Sequence, residues 1–91
     1  MSDKYYVFMV KCNDSQTLVV KYGKDPEKLL EGYKKNMPAD IAYYRGIHMD
    51  GIVWSEEVEG RRRAMALSND IKDFTQQKKQ QLVKVQLRYL L

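Results

Sequence analysis

The chain is poor in the residues that form covalent or metal-centred scaffolds, with one cysteine, one histidine and one tryptophan among 91 residues. A single cysteine excludes an internal disulfide and any metal site built from several cysteines of this chain. No apolar run approaches the roughly 20 residues that a membrane-spanning helix needs. The first residues show no basic segment followed by an apolar one, so we expect a cytoplasmic protein without a signal peptide or membrane anchor.

The composition is that of an ordinary globular protein, with 44% apolar and 31% charged residues. A compact core is therefore expected, and the length suits one domain that spans residues 1–91. The net charge is +4, from 16 Lys and Arg against 12 Asp and Glu. This charge permits nucleic-acid binding without requiring it.

The first third of the sequence predicts a β-hairpin followed by a helix. Residues 5–12 and 17–22 are rich in β-branched and aromatic side chains, and too few residues separate them for a helix. Asp25 and Pro26 suit the cap and first position of a helix. The spacing of apolar residues predicts that this helix covers about residues 26–36.

The middle of the chain is expected to be irregular before a third strand begins. Pro38 should end the first helix, with one short helical turn over residues 38–44 and a loop over residues 44–50. Asp50-Gly51 is a turn signal, and residues 52–58 have the composition of a strand.

The last third predicts two helices and an ambiguous tail. A helical stripe of apolar residues covers about residues 61–73, and Thr75 can cap a further helix that reaches Leu82. Residues 83–89 alternate apolar and polar side chains, which favours a strand, although a helix would also gather apolar residues on one face. Cys12 and Trp54 are expected in the core.

Several short segments, taken in order, resemble the GIY-YIG nuclease superfamily, especially its small stand-alone Slx-like bacterial branch. They are Tyr6-Val7-Phe8, Cys12, residues 25–30, Tyr44-Arg45-Gly46, residues 53–57, Ala64-Met65, Ile71-Lys72 and residues 75–79. The resemblance covers about residues 5–83 and leaves residues 84–91 outside as an apolar tail. It implies an α+β fold, a small three-stranded antiparallel sheet flanked by helices in the order β-β-α-β-α-α.

The resemblance also implies which positions would carry out DNA hydrolysis. The family uses a Glu to hold a divalent ion, tyrosines near the attacking water and an Arg that neutralises developing charge. The corresponding positions hold Phe8, Val19, Leu29 and Ser68, whose side chains cannot fill these roles. Tyr33 occupies a position where the family has His or Tyr and is compatible with activity.

A degenerate active site is therefore expected, with no catalytic residue, metal or cofactor. One alternative is a diverged endonuclease that uses Mg²⁺, with Tyr22, Lys28, Tyr33 and Asp70 as substitutes. The hairpin register around residues 19–23 is open by one or two residues, and it decides whether Tyr22 faces the site. His48, the lone histidine, has no recognisable catalytic partner at motif spacing.

The basic residues suggest a phosphate-binding patch, for which the candidates are Arg45, Arg61, Arg62 and Arg63. A solvated helix face that Glu56, Glu57 and Glu59 partly neutralise is the favoured interpretation of these arginines, with the phosphate-binding patch as its alternative. The favoured hypothesis is a non-catalytic module that binds nucleic acid, with DNA as the expected ligand, or a protein. A further alternative is a structural or regulatory protein that forms a homodimer through its C-terminal tail.

Overall fold

The computed structural model describes residues 3–13, 17–35 and 49–90 of the chain. Within these ranges the elements follow the order β1 (Lys4–Cys12), β2 (Leu18–Gly23), α1 (Pro26–Lys35), β3 (Met49–Glu59), α2 (Arg61–Lys72) and α3 (Gln76–Leu90). The strands form one antiparallel sheet in the order β2-β1-β3, so β2 and β3 are its edges. This confirms the predicted α+β fold and its order of elements.

One face of the sheet, here called the α2 face, packs against α2 and α3. Because side chains alternate along a strand, Val7 and Met9 of β1 point to this face and Phe8 points away from it. The buried residues that pack together on the α2 face are Val7, Met9, Val20, Trp54, Ala64 and Ile71. Burial of each large side chain stabilises the fold by about 1.5–3 kcal/mol.

The opposite face, here called the α1 face, packs against α1. Phe8 and Val10 of the central strand have no solvent exposure there, and Leu30 of α1 covers them. The buried residues of this cluster are Phe8, Val10, Cys12, Leu30 and Met49. Cys12 is thus a buried thiol and Trp54 a core residue of the other face, as the sequence predicts.

Capping side chains begin two of the helices where the sequence places them. The backbone N–H of Lys28 donates to the Asp25 carboxylate at 3.2 Å, which caps α1. The backbone N–H of Lys78 donates to the Thr75 hydroxyl at 3.2 Å, which caps α3. The predicted helices at 26–36 and 61–73 are confirmed to within one residue over their described parts.

The turn predicted at Asp50-Gly51 is wrong, because both residues lie inside β3. Cys12 pairs with Met49 and Lys11 pairs with Gly51, so Asp50 is an extra residue in the strand. Asp and Gly there mark a β-bulge, since β1 continues alongside and supplies pairing partners. The loop predicted over residues 44–50 is therefore wrong for Met49 and Asp50, which belong to β3. The predictions that concern Pro38, the helical turn at 38–44, Arg45 and His48 lie outside the described residues.

The strand predicted for the tail is wrong, because α3 continues without a break from Gln76 to Leu90. No glycine or proline interrupts the sequence after Thr75, so a helix once capped propagates through the two valines at 83 and 85. As a helix, α3 lies against the sheet and contacts both β3 and β2. No helix in the described ranges combines the length and apolar character that crossing a membrane requires.

A side chain of α3 covers one position of the β3 edge of the sheet. The side-chain amide of Gln86 donates to the Ser55 carbonyl oxygen at 2.7 Å, and its own oxygen accepts from the Ser55 N–H at 3.2 Å. One glutamine thus makes both hydrogen bonds that a neighbouring strand would make at this position. Such a cover protects an edge strand from pairing with another chain.

Candidate functional site

Four of the five positions that the family resemblance singles out come together on the α1 face. Phe8 is a core residue there, and Val19, Leu29 and Tyr33 pack against its cluster. The register pairs Phe8 with Lys21 and places Tyr22 opposite Val7. Tyr22 therefore packs on the α2 face and not beside Phe8, which settles the register that the sequence leaves open.

Ser68 stands apart from these four residues. It lies on α2 between Ala64 and Ile71, which are buried on the opposite face of the sheet. Its side chain has no solvent exposure, and its hydroxyl is a buried polar atom without a hydrogen bond in the described structure. The position that would hold the metal-binding Glu is thus buried among apolar neighbours.

The residues present do not fit a Mg²⁺ ion. A hard divalent cation needs several oxygen ligands, usually with carboxylates among them, and a lone hydroxyl does not replace these. Nowhere in residues 3–13, 17–35 and 49–90 do three His, Cys, Asp or Glu side chains come close enough to hold a metal ion. Asp70, the acid that a diverged centre would use, is exposed on α2.

A cleft of about 700 Å³ lies at the open edge of β2. It is bounded by the end of β2, one side of α1 from its first turn to its last, the start of β1 and both ends of α2. The described charged residues that line it are five cations and one acid: Lys21, Lys24, Lys28, Arg61, Lys72 and Asp25. The cleft therefore concentrates positive charge far beyond the average of the chain, which favours an anionic ligand.

Two charged residues of the cleft have partners outside it or in the backbone. The Asp25 carboxylate caps α1, so the one acid among the described lining residues has a structural role. The Lys24 ammonium lies 2.8 Å from Oδ1 of Asp3. The hydrogen bond to Asp3 and its negative charge raise the pKa of Lys24, so this lysine is a cation of the cleft that is already ion-paired.

Aromatic rings accompany the cations in the cleft. Tyr5, Tyr22 and Tyr33 line it, each half-buried. The Lys24 ammonium lies 5.4 Å from the centroid of the Tyr5 ring, and the Lys21 ammonium lies 5.8 Å from that of Tyr33. These distances are within the range of a cation–π contact, so two rings of the cleft each have an ammonium beside them.

Three arginines extend the positive surface from the cleft onto α2. Arg61, Arg62 and Arg63 form the exposed first turn of this helix. Cations at a helix N-terminus oppose the macrodipole, and Gly60 supplies no side-chain cap. The local energetics of the helix do not explain these residues, which favours a role outside it.

The acids expected to neutralise the arginines do not pair with them. Glu57 instead accepts a hydrogen bond from the Tyr6 hydroxyl at 3.3 Å and lies 3.8 Å from the Lys4 ammonium. Over the part of the chain that the structure describes, none of the three arginines takes part in an ion pair. Arg61 also lines the cleft, whereas Arg45 lies outside the described ranges.

Several lining residues escape prediction from the sequence. Lys21 and Lys24 lie at the end of β2 and Lys72 at the end of α2, and they line one cleft because α2 packs against the edge strand β2. From the sequence, Lys28 is a candidate only as a substitute for the Arg of the GIY-YIG family. The one local signal is the density of lysines between residues 21 and 28, which a solvated surface would also show.

Comparison with known proteins gives relatives that match nearly the whole chain. A UPF0213 protein of Haloquadratum walsbyi is 33% identical over 82 residues, which cover 90% of this chain and 89% of that protein. A UPF0213 protein of Staphylococcus aureus strain Mu3 is 31% identical over 83 residues, covering 90% and 96%. No protein-family model matches the chain, and no solved structure matches it. With such identity over almost their full lengths, the chain belongs to the UPF0213 family.

Proposed function

We propose that this chain is a non-catalytic GIY-YIG-like module that binds nucleic acid through the β2-edge cleft and the arginines of α2. The observation that carries the proposal is the excess of cations around the cleft, where five described basic residues meet one acid that caps a helix. Phosphate groups spaced along a strand are the ligand that such a basic surface suits best.

The GIY-YIG relationship is supported by the order of elements and by the gathering of Phe8, Val19, Leu29 and Tyr33. The non-catalytic part is supported by what these positions hold. An apolar Leu29 stands where the family has its Arg, and Ser68 is buried on the other face. Loss of even one stabiliser of transition-state charge costs about 10²–10³ in rate, so joint loss should abolish turnover.

Binding is tested by fluorescence anisotropy with labelled DNA at several salt concentrations. The variant Arg61→Gln/Arg62→Gln/Arg63→Gln should bind more weakly, and the slope of log K against log salt should fall by about 2–3, since each phosphate contact contributes about 0.7–0.9. The matched control, Lys34→Gln/Lys35→Gln/Lys84→Gln, removes as many exposed charges away from the cleft and should keep most of the slope. Absence of binding at low salt would refute the proposal.

Catalysis is tested separately with branched and nicked DNA in the presence of Mg²⁺ or Mn²⁺. We expect no product after prolonged incubation with stoichiometric protein. Cleavage that disappears in Tyr33→Phe would instead establish the diverged nuclease, because that substitution removes only a hydroxyl.

A further inference from the structure

The rings in the cleft point to the kind of nucleic acid that it accepts. Tyr5 and Tyr33 are half-buried, and each has a lysine ammonium within 5.8 Å of its ring centroid. A phosphate that draws such an ammonium toward itself uncovers a ring face. Proteins that bind single strands combine cationic grooves with aromatic side chains in this way.

The ring face of a tyrosine can stack on an unpaired base but not on a base inside a duplex. A duplex presents the edges of its bases in the grooves, while the faces are stacked inside. Only a single-stranded or extruded base can stack on a side chain. The tyrosines of the cleft would therefore add nothing to the binding of an intact duplex, whereas the cations would attract both forms.

The size of the cleft agrees with this discrimination. Its volume of about 700 Å³ lies within the roughly 300–1,000 Å³ of sites for small ligands. A cleft of this size accepts a group as large as a nucleotide. The exposed cations Lys28 and Arg61 at its rim are available for the adjoining phosphates.

We infer that the β2-edge cleft selects single-stranded nucleic acid, with an unpaired base stacked on Tyr33 and its phosphates bound by Lys28 and Arg61. This inference rests on the proposed function and adds the form of the ligand to it. Lys21 then leaves the Tyr33 ring for a phosphate as the base takes its place.

The direct test uses the unaltered protein and three labelled probes of equal length. They are an oligothymidine, the corresponding abasic oligomer, which keeps the phosphates and lacks the bases, and a duplex. The oligothymidine should bind about tenfold more tightly than the abasic oligomer and more tightly than the duplex. Equal affinity for all three probes would overturn the selection of single strands and leave nucleic-acid binding standing. Absence of binding to any probe would refute the proposed function itself.

A pair of variants then assigns the stacking to one ring. Tyr33→Phe keeps the ring and should bind the oligothymidine as the unaltered protein does. Tyr33→Leu removes it and should weaken that binding about tenfold, with no change for the abasic oligomer. Equal loss on both probes would contradict the role of Tyr33. Because the abasic comparison needs no variant, the inference stays testable even if Tyr33→Leu fails to fold.

Discussion

The two edges of the sheet differ in the side chains that cover or surround them. At the β3 edge, Gln86 satisfies both backbone groups of Ser55, and the neighbouring Glu56 and Glu57 are acidic. At the β2 edge, a cleft opens and basic side chains surround it. The β2 edge is therefore the candidate ligand-binding edge, whereas the contact at the β3 edge is structural.

This difference also makes the small net charge of the chain more informative. A charge of +4 says little about function by itself, but five of the described cations line one cleft together with a single acid. An uneven distribution of this kind steers an anionic ligand toward one edge during encounter. Variants that act on one edge and spare the other can therefore test the account.

The largest expected effect is the loss of binding on charge reversal at the β2 edge. In Lys28→Glu/Arg61→Glu, two cations of the cleft become repulsive to phosphate, and affinity for DNA should fall roughly a hundredfold at low salt. The control Lys34→Glu/Lys35→Glu makes the same charge change in the last turn of α1. Anisotropy titrations should show a much smaller loss for the control, and equal losses would mean that only net charge matters.

The next effect concerns the β3 edge and should appear in stability alone. Gln86→Ala removes two hydrogen bonds to a part-buried backbone, and the free energy of unfolding should fall by about 1–2 kcal/mol. Gln80→Ala, an exposed position on the same helix, should change it by less than about 0.5 kcal/mol. Urea unfolding measures both. A change in DNA affinity of folded Gln86→Ala would contradict the separation of the two edges.

Variants of Asp25 can distinguish the effect of its charge on DNA binding from the effect of its helix cap on stability. Asp25→Asn keeps a good capping side chain and removes the carboxylate, so DNA should bind about two- to threefold more tightly at unchanged stability. Asp25→Ala loses the cap as well and should cost about 1 kcal/mol. Thermal unfolding and anisotropy together distinguish the two variants. Weaker binding by Asp25→Asn would mean that the acid contacts the ligand favourably.

The smallest effect tests the interpretation of Ser68 as a core residue. Ser68→Ala removes a buried hydroxyl without a hydrogen bond, and the free energy of unfolding should rise by about 0.5–1 kcal/mol. Ser68→Glu places a carboxylate in the same buried position and should lower the free energy of unfolding. A stable Ser68→Glu variant that binds Mn²⁺ would instead show that a metal ion can reach this position.

Most of the elements that the sequence predicts correctly are marked by local signals. Asp25-Pro26 and Thr75 mark helix starts through side-chain chemistry that acts within one turn, and the strand composition of 5–12 is strong. Where two local interpretations compete, distant contacts decide. Asp50-Gly51 forms a bulge because β1 pairs alongside it, and the tail is helical because Thr75 caps a helix with nothing to break it.

The candidate site is less accessible to prediction than the fold. Arg61 is recognisable from its run of arginines, and Tyr33 from the family resemblance. Three further cleft residues are recognisable only from the fold, because β2 is an edge strand and α2 packs against it: Lys21, Lys24 and Lys72. The burial of Ser68 likewise depends on which face of α2 meets the sheet, and its sequence neighbours alone do not fix that.

Nuclear magnetic resonance tests the central claim, that the β2 edge is the ligand-binding edge, most directly. Oligothymidine is titrated into the isotopically labelled protein, and the backbone amide shifts are followed along the chain. The account predicts progressive, salt-sensitive shifts at Lys21, Tyr22, Gly23, Lys28 and Arg61, with little change along β3 and α3. Shifts confined to β3 and α3, or none at low salt, would contradict it.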